Sequence, residues 1–171
     1  AWHALAHGIA ASTAPARRRA RGFLLPDPFA GSALKRTLLL ARWCVRPDDG
    51  VDLGLWNAPG RLGPKDLVLP LDTHVHRTAV DVGLTRRTVP DWKAAREATD
   101  ALARLDPDDP VRFDFALVRP GIVGRCTHRT VRAICTPCEL RACCAKGRRL
   151  RPAPAASTGS DSAPFASDRA G

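Results

Sequence analysis

Apolar residues recur at helical spacing in several separate stretches of the chain. From Ala33 to Val45, Leu and Trp residues recur every three to four positions, and Ser32 is placed to cap the helix N-terminus. A second stretch with helical spacing, from Thr73 to Val82, lies between Asp72, a good N-cap residue, and Gly83, which suits a left-handed C-cap. We therefore predict core helices over 33–45 and 73–82.

Asp91 opens the clearest amphipathic helix, DWKAAREATDALARLD. Asp109, with Pro110 at the first helical position, predicts a further helix over VRFDFALVR. The apolar run from Leu67 to Leu71 could be extended, but strand signals are weak elsewhere and no repeat is present. The chain is therefore predicted to be all-α. The buried stripe of the Asp91 helix is predicted to comprise Trp92, Ala95, Ala98, Leu102 and Leu105.

Length and composition narrow the class of protein. At 171 residues and 18.4 kDa the chain suits one modest domain. Every apolar run falls well short of the roughly 18 residues that a membrane helix needs, so a membrane protein is excluded. The Arg cluster of the first 22 residues follows the apolar part, which is the reverse of a secretory signal. A cytoplasmic, nucleoid-associated monomer is the default expectation, and the absence of Met, even at position 1, indicates an N-terminally incomplete chain.

Composition also divides the chain. We predict a basic, poorly ordered lead over 1–22 and an incomplete helical domain over 23–119. A four-cysteine metal-binding loop follows over 120–147. Residues 148–171 are predicted to be a disordered tail, because they end in a Pro-, Ala- and Ser-rich stretch.

Positive charge is concentrated near the C-terminus. Between Arg119 and Arg151 there are nine basic residues and one acidic residue, Glu139, so +8 of the net +10 lies there. A polyanion is the natural partner of such a segment. The alternative is a solvated face in a chain where Arg is simply abundant, as a GC-rich coding bias would produce.

Five of the six cysteines fall in the same segment. Cys126, Cys135, Cys138 and Cys144 form the pattern C-x8-C-x2-C-x5-C, with Cys143 as an alternative to Cys144. Clustered thiols in a cytosolic chain indicate a metal, and either an iron-sulfur cluster or a structural zinc would suit them. Four thiolates leave no open coordination position, so the centre would be architectural. Unligated thiols are the alternative, and the isolated Cys44 on an apolar helix face belongs to that class.

Such a centre would fix the basic loop between its first two ligands. That loop holds Arg129 and Arg132, which would project from a rigid base towards phosphates.

Two short motifs resemble a known enzyme family. LDTHVHR, from Leu71 to Arg77, is followed by a helix with Phe113 and Phe115 and then by GIVGRC, which opens the cysteine cluster. This order resembles the second half of endonuclease III-type helix-hairpin-helix DNA glycosylases. The resemblance implies a partial helix-hairpin-helix glycosylase-like helical bundle with a C-terminal four-cysteine metal loop.

The resemblance also implies roles for particular residues. Asp72 would be the catalytic carboxylate and the cluster a 4Fe-4S centre, with zinc as the alternative. Gly54 stands where lyase-active members have Lys, so a Schiff-base lyase is not expected, and the first cysteine gap is two residues longer than in the family. Asp114 is assigned to the surface or to a cap. Double-stranded DNA would be bound by Gly50, Val51, Arg77, Arg125, Arg129, Arg132, Arg141 and Lys146.

A more extended resemblance is to an uncharacterised bacterial branch of that superfamily. It covers about residues 24–145 and is carried by PDP-x-x-GS-x-x-KR, RW-x-VR-x-DDGVDLGLW, PLDTHVHR, DW-x-A and DP-x-DPV-x-x-DFAL. The expected function is that of a base-excision-repair-like DNA-binding protein that could act as a monofunctional glycosylase. The alternatives are a non-catalytic DNA-binding or scaffold protein with a structural metal centre, and a zinc-ribbon-like module. Against ordinary DNA binding, Asp48, Asp49 and Asp52 cluster beside the loop that should approach phosphate.

Overall fold

The structure is a computed structural model that describes residue 26, residues 31–56 and residues 62–150. These residues form helices and turns with no strand, which confirms the all-α prediction at that level. The predictions for the lead over 1–22 and for the tail beyond residue 150 lie outside the described residues. Within those ranges, no helix is long and apolar enough to cross a membrane. The helices are α1 (Lys35–Val45), α2 (Thr73–Val82), α3 (Trp92–Ala103), α4 (Asp114–Ile122), α5 (Arg132–Cys135) and α6 (Ala145–Arg148).

The two best-capped helices form where their caps predict. The Asp72 carboxylate accepts the Val75 N–H at 2.8 Å, and α2 ends at Gly83, whose φ of 81° is left-handed. The Asp91 carboxylate accepts the Ala94 N–H, also at 2.8 Å. Both predicted N-caps are confirmed, because an Asp at this position satisfies a backbone donor that the helix leaves without a partner.

Helix α1 begins two residues later than predicted. Ser32 is not its N-cap; the Ser32 hydroxyl accepts the Leu34 N–H at 3.1 Å, and Leu34 adopts a left-handed φ of 53° at the cap position. The local Ser32 bond stabilises a turn that delays the helix, because Ser side chains compete with the helix for nearby backbone donors.

Two predictions around the end of α3 are wrong. Leu105 is 70% exposed, because α3 ends at Ala103 and Leu105 lies beyond the helical stripe. Asp109 makes no cap hydrogen bond; its carboxylate accepts the Arg46 Nε–H at 2.9 Å instead. The helix predicted over 111–119 is divided into a 3₁₀ turn at Pro110–Phe113 and α4.

The core lies between α1, α2, α3 and α4. The segment 67–71, predicted to be extended, is not a strand, but its apolar side chains are buried in this core. Helices α2 and α4 pack closely, since a Cβ added at Gly121 would lie 2.6 Å from the His74 Nδ1 atom. The largest fully buried apolar side chains are Leu38, Leu69, Val45, Val68, Val75, Val111 and Pro110.

Residues 47–56 form a loop that folds back on the end of α1. The Leu53 and Trp56 N–H groups donate to the Trp43 and Cys44 carbonyls, each at 2.7 Å. Trp43 and Trp56 are 39% and 43% exposed, so neither indole is a core side chain. Capping by the loop backbone leaves these indoles at the surface, whereas Cys44 is buried as expected.

Candidate nucleic-acid and metal-binding module

Residues 125–150 fold into a compact unit, called here the C-terminal module. It contains α5, a 3₁₀ turn at Glu139–Ala142, and α6. Its turns are closed by backbone hydrogen bonds such as Cys144 N–H to Leu140 O at 2.8 Å. Gly147 packs so tightly that an added Cβ would lie 2.8 Å from the Arg141 Cα and carbonyl oxygen. The module therefore has a defined fold in which a side chain at position 147 has no room.

Asp81 attaches the module to α2. Its Oδ2 atom lies 2.9 Å from the His128 Nδ1 atom, and its Oδ1 atom lies 3.8 Å from the Lys146 Nζ atom. An acidic residue in the last turn of a helix is unfavourable next to the negative end of the helix dipole. The lysine ammonium offsets that charge, so a residue that weakens α2 in isolation becomes the attachment point of the module.

The five cysteines of the module lie in different environments. The Cys126 thiol is bonded to the His128 N–H, at a Sγ to N distance of 3.4 Å, and burial raises the pKa of that thiol. The Cys144 and Cys138 thiols lie close enough to act electrostatically on Cys126. The Cys135 thiol is buried and donates to the Arg129 carbonyl at 3.6 Å. The Cys143 thiol is exposed and donates to the Leu140 carbonyl at 3.2 Å.

The structure does not present the predicted four-cysteine centre as an assembled site. Within the described ranges, no three His, Cys, Asp or Glu side chains are gathered closely enough to hold a metal ion. The Cys135 and Cys143 thiols are turned to backbone carbonyls.

The basic side chains of the module face solvent. Arg125, Arg129, Arg148 and Arg149 are exposed, and no acidic side chain in the described part of the chain lies within salt-bridge distance of them. Residues 125–150 contain seven basic residues and one acidic residue, a net charge of +6. The remaining predicted DNA contacts of the module, Arg132, Arg141 and Lys146, belong to the same unit; Arg132 is exposed, and the other two are partly buried.

A surface pocket of about 430 Å³ lies beside these cations. Arg141 and Arg148 contribute to its wall, together with Cys138 and Glu139. Arg77 is exposed on α2, one turn before Asp81, so helical spacing places it on the side of α2 that carries the module. Gly50 and Val51, the other predicted DNA contacts, are exposed in the 47–56 loop.

Asp72, the predicted catalytic residue, has partners for both carboxylate oxygens. Its Oδ1 atom accepts the Val75 N–H, and its Oδ2 atom lies 3.3 Å from the Lys35 Nζ atom. These contacts are those of a helix cap held in an ion pair.

A buried charge network that the sequence did not reveal lies between α1, the 47–56 loop and α4. Arg42 is 6% exposed and donates to Asp114 at 2.7 Å and to Asp52 at 3.2 Å. Burial raises the pKa of Asp114 to about 6, against the lowering effect of Arg42. The assignment of Asp114 to the surface or a cap is wrong for this reason. The sequence did contain a sign that Arg42 is buried, because Arg42 lies between Leu38 and Val45 on the apolar stripe of α1.

The same network reduces the negative charge of the 47–56 loop, whose three Asp residues were expected to repel DNA. Asp52 is fully buried and pairs with Arg42 and Arg46, and Asp49 lies 3.3 Å from the Arg46 guanidinium. Two of the three carboxylates are therefore neutralised within the chain. The Asp48 carboxylate accepts the Gly50 N–H at 3.1 Å and closes the turn.

Comparison with known proteins shows the family. The model of the family described as protein of unknown function DUF2400 matches residues 2–123, which is more than half of the chain. The chain belongs to the DUF2400 family. No curated protein and no solved structure matches it. The match spans the helical domain and ends before the C-terminal module begins.

Membership of the DUF2400 family corrects the glycosylase assignment. The matched family is uncharacterised and gives no sign of a helix-hairpin-helix glycosylase, so that resemblance is wrong. LDTHVHR is a capped helix start, which many unrelated helices can share. The catalytic role of Asp72 was implied by the resemblance alone and loses its support with it. Gly54 has a local explanation, because its φ of 63° and an added Cβ only 3.1 Å from the Asp48 nitrogen disfavour any side chain there.

Proposed function

We propose that this DUF2400 protein binds double-stranded DNA, without catalysis, through its C-terminal module. The observation that carries the proposal is the set of exposed guanidinium groups at Arg125, Arg129, Arg148 and Arg149, without acidic partners among the described residues. Guanidinium groups bind phosphate oxygens through two parallel hydrogen bonds, and such contacts supply most of the non-specific affinity for DNA.

The distribution of charge supports a localised contact surface. The module carries +6 in 26 residues, whereas the other 145 residues together carry 20 basic and 16 acidic residues, a net +4. Outside the module, several cations are paired, as in Arg46 with Asp109 and Arg87 with Asp91. The acidic 47–56 loop is largely neutralised, so it does not oppose approach to DNA.

The residue types of the module favour a duplex over a single strand. Single-strand binding proteins stack bases on aromatic side chains, and residues 125–150 contain no Phe, Trp or Tyr. Contacts made by arginine alone suit the regularly spaced phosphates of a duplex.

Fluorescence anisotropy with a labelled duplex, repeated over a range of salt concentrations, tests the proposal. The variant carries Arg125→Gln, Arg129→Gln, Arg148→Gln and Arg149→Gln. The control removes the same charge from exposed residues elsewhere, with Arg86→Gln, Lys93→Gln, Arg96→Gln and Arg104→Gln. Each lost phosphate contact should lower the slope of log K against log salt by about 0.9. We expect this slope to fall by about 3 to 4 in the module variant and by less than about 1 in the control.

Equal slopes and affinities in the two variants would show that the module is not the contact surface. Tighter binding to a single strand of the same sequence than to the duplex would overturn the choice of double-stranded DNA.

A further inference from the structure

The surface pocket of the C-terminal module has the size of a small-molecule site. It lies between the 3₁₀ turn at Glu139–Ala142 and residues 147–150, and its volume is about 430 Å³. Sites for small ligands usually measure about 300–1,000 Å³. A lone phosphate ion would fill only part of this space, so the pocket can take a phosphate together with the group that carries it.

Two arginines of the pocket wall are held close together by Gly147. A Cβ added at Gly147 would lie 2.8 Å from the Arg141 Cα atom. Since consecutive Cα atoms are about 3.8 Å apart, the Cα atoms of Arg141 and Arg148 lie within about 8 Å of each other. Both side chains line the pocket, so both guanidinium groups are available to one ligand.

Neither guanidinium group is neutralised by a carboxylate. Among the described residues, no acidic side chain lies within salt-bridge distance of Arg141 or Arg148. Guanidinium groups bind phosphate oxygens through paired hydrogen bonds. A phosphate monoester carries a charge of about −1.5 to −2 at neutral pH, whereas a diester carries about −1. Two arginines therefore match a monoester, which is the form of phosphate found at the end of a strand.

The rest of the wall indicates what the phosphate is attached to. The Glu139 carboxylate only accepts hydrogen bonds and repels a second anionic group. With Arg141 and Arg148 it gives the wall a net charge of +1, which favours a single phosphate on a body that donates hydrogen bonds. Ala142 and Leu150 add apolar surface to the wall. The hydroxyl and amino groups of a nucleotide and its flat apolar base fit these requirements.

We propose that this pocket binds a nucleotide through a terminal phosphate monoester held between Arg141 and Arg148. Glu139 accepts a hydrogen bond from the sugar or the base. The inference deepens the proposed function and rests on it for the source of the nucleotide, which is the end of a DNA strand. A free nucleoside monophosphate presents the same groups, so the test includes it.

The test measures anisotropy with the full chain and labelled duplexes that carry a one-nucleotide overhang. Each duplex is used with and without a terminal phosphate, at one salt concentration. We expect the phosphorylated form to bind about 10-fold more tightly, because it gains charge-assisted hydrogen bonds to two arginines. An unlabelled nucleoside monophosphate should remove this preference, and the nucleoside without phosphate should not.

Single substitutions separate the pocket from the rest of the module. Arg141→Gln and Arg148→Gln should each reduce the preference to about 2-fold or less. Arg141→Lys keeps the charge but not the paired hydrogen bonds, so it should retain part of the preference. Arg125→Gln is the matched control, because Arg125 is exposed and is not part of the pocket wall. It should weaken both forms of the duplex equally and keep the full preference. Circular dichroism verifies that each variant is folded.

The outcomes distinguish this inference from the proposed function. If the chain binds both forms of the duplex equally and does not bind a labelled nucleoside monophosphate, the pocket assignment is overturned and the proposed function stands. If the chain binds the nucleoside monophosphate through Arg148 but binds no duplex, the pocket stands with a free nucleotide as its source, and the proposed function is overturned. Competition by O-phosphoserine as strong as that of the nucleoside monophosphate overturns the choice of a nucleotide.

Discussion

Arg42 and Asp114, 72 positions apart in the chain, share a buried hydrogen bond of 2.7 Å from Nη1 to Oδ2. The other guanidinium branch of Arg42 donates to Asp52 at 3.2 Å. One arginine on the apolar face of α1 therefore neutralises a carboxylate from the following loop and another from α4.

Removal of this arginine should be strongly destabilising. Arg42→Leu leaves two buried carboxylates without their common partner, and breaking a buried pair in this way costs about 3–5 kcal/mol. Urea denaturation followed by circular dichroism measures the loss. The control, Arg96→Ala, removes an exposed arginine 3.6 Å from Asp100 and should change stability by less than about 0.5 kcal/mol. A loss below about 1 kcal/mol for Arg42→Leu would contradict the importance of the network.

Asp114 should make stability depend on pH in the direction opposite to most carboxylates. Its folded pKa of about 6 lies above the ordinary value of 3.8, so the folded chain binds the proton more tightly. This contribution is fully present below about pH 3.8 and is lost as pH rises through about 6. Relative to Asp114→Asn, the wild type should lose up to about 3 kcal/mol between pH 4 and 7.

Urea denaturation of both proteins at several pH values gives this difference directly. The difference cancels the effect of Asp49, Asp91 and Asp106, whose pKa values are lowered by hydrogen bonds and whose contributions are lost as pH falls. A wild-type minus variant difference that does not change with pH would show that Asp114 does not titrate in this range.

Asp72 should behave as a structural residue. Asp72→Ala removes the cap of α2 and should cost about 1 kcal/mol, as should Asp91→Ala at the start of α3. Asp72→Asn keeps a cap acceptor and loses only the ion pair with Lys35, so it should cost less. Duplex affinity should be the same in all three variants. A large loss of duplex affinity in Asp72→Asn alone would reopen a role for this carboxylate at the DNA.

Gly147→Ala should loosen the packing of the C-terminal module. The new methyl group would lie 2.8 Å from the Arg141 backbone, which a side-chain rotation cannot relieve. Overpacking of this kind costs about 1–3 kcal/mol and should expose the module to trypsin and weaken duplex binding. Gly63→Ala is the matched control, because its methyl group would lie 3.8 Å from the nearest atom, the Asp66 Oδ2. Equal trypsin digestion of the two variants would contradict the tight packing at Gly147.

Motifs of short range were more informative about structure than about family. LDTHVHR correctly predicts a helix capped at Asp72 and ended at Gly83, because a cap depends on atoms within a few residues. The same letters suggested a glycosylase, and the DUF2400 match overturns that assignment. Seven residues that form a favourable helix start can recur without a shared ancestor, so their spacing carries structural and not catalytic information.

The sequence by itself determined the helical class, the caps at Asp72 and Asp91, and the concentration of charge and cysteine near the C-terminus, because these depend on local bonding and composition. Only the tertiary structure decided that Arg42 joins Asp52 to Asp114, that Asp109 pairs with Arg46, and that Asp81 holds His128 beside Cys126. Those pairs join separate elements of the chain. The shortest separation is ten positions, between Arg42 and Asp52, and the longest is 72 positions, between Arg42 and Asp114. Their partners are set by how the helices pack, which no local pattern encodes.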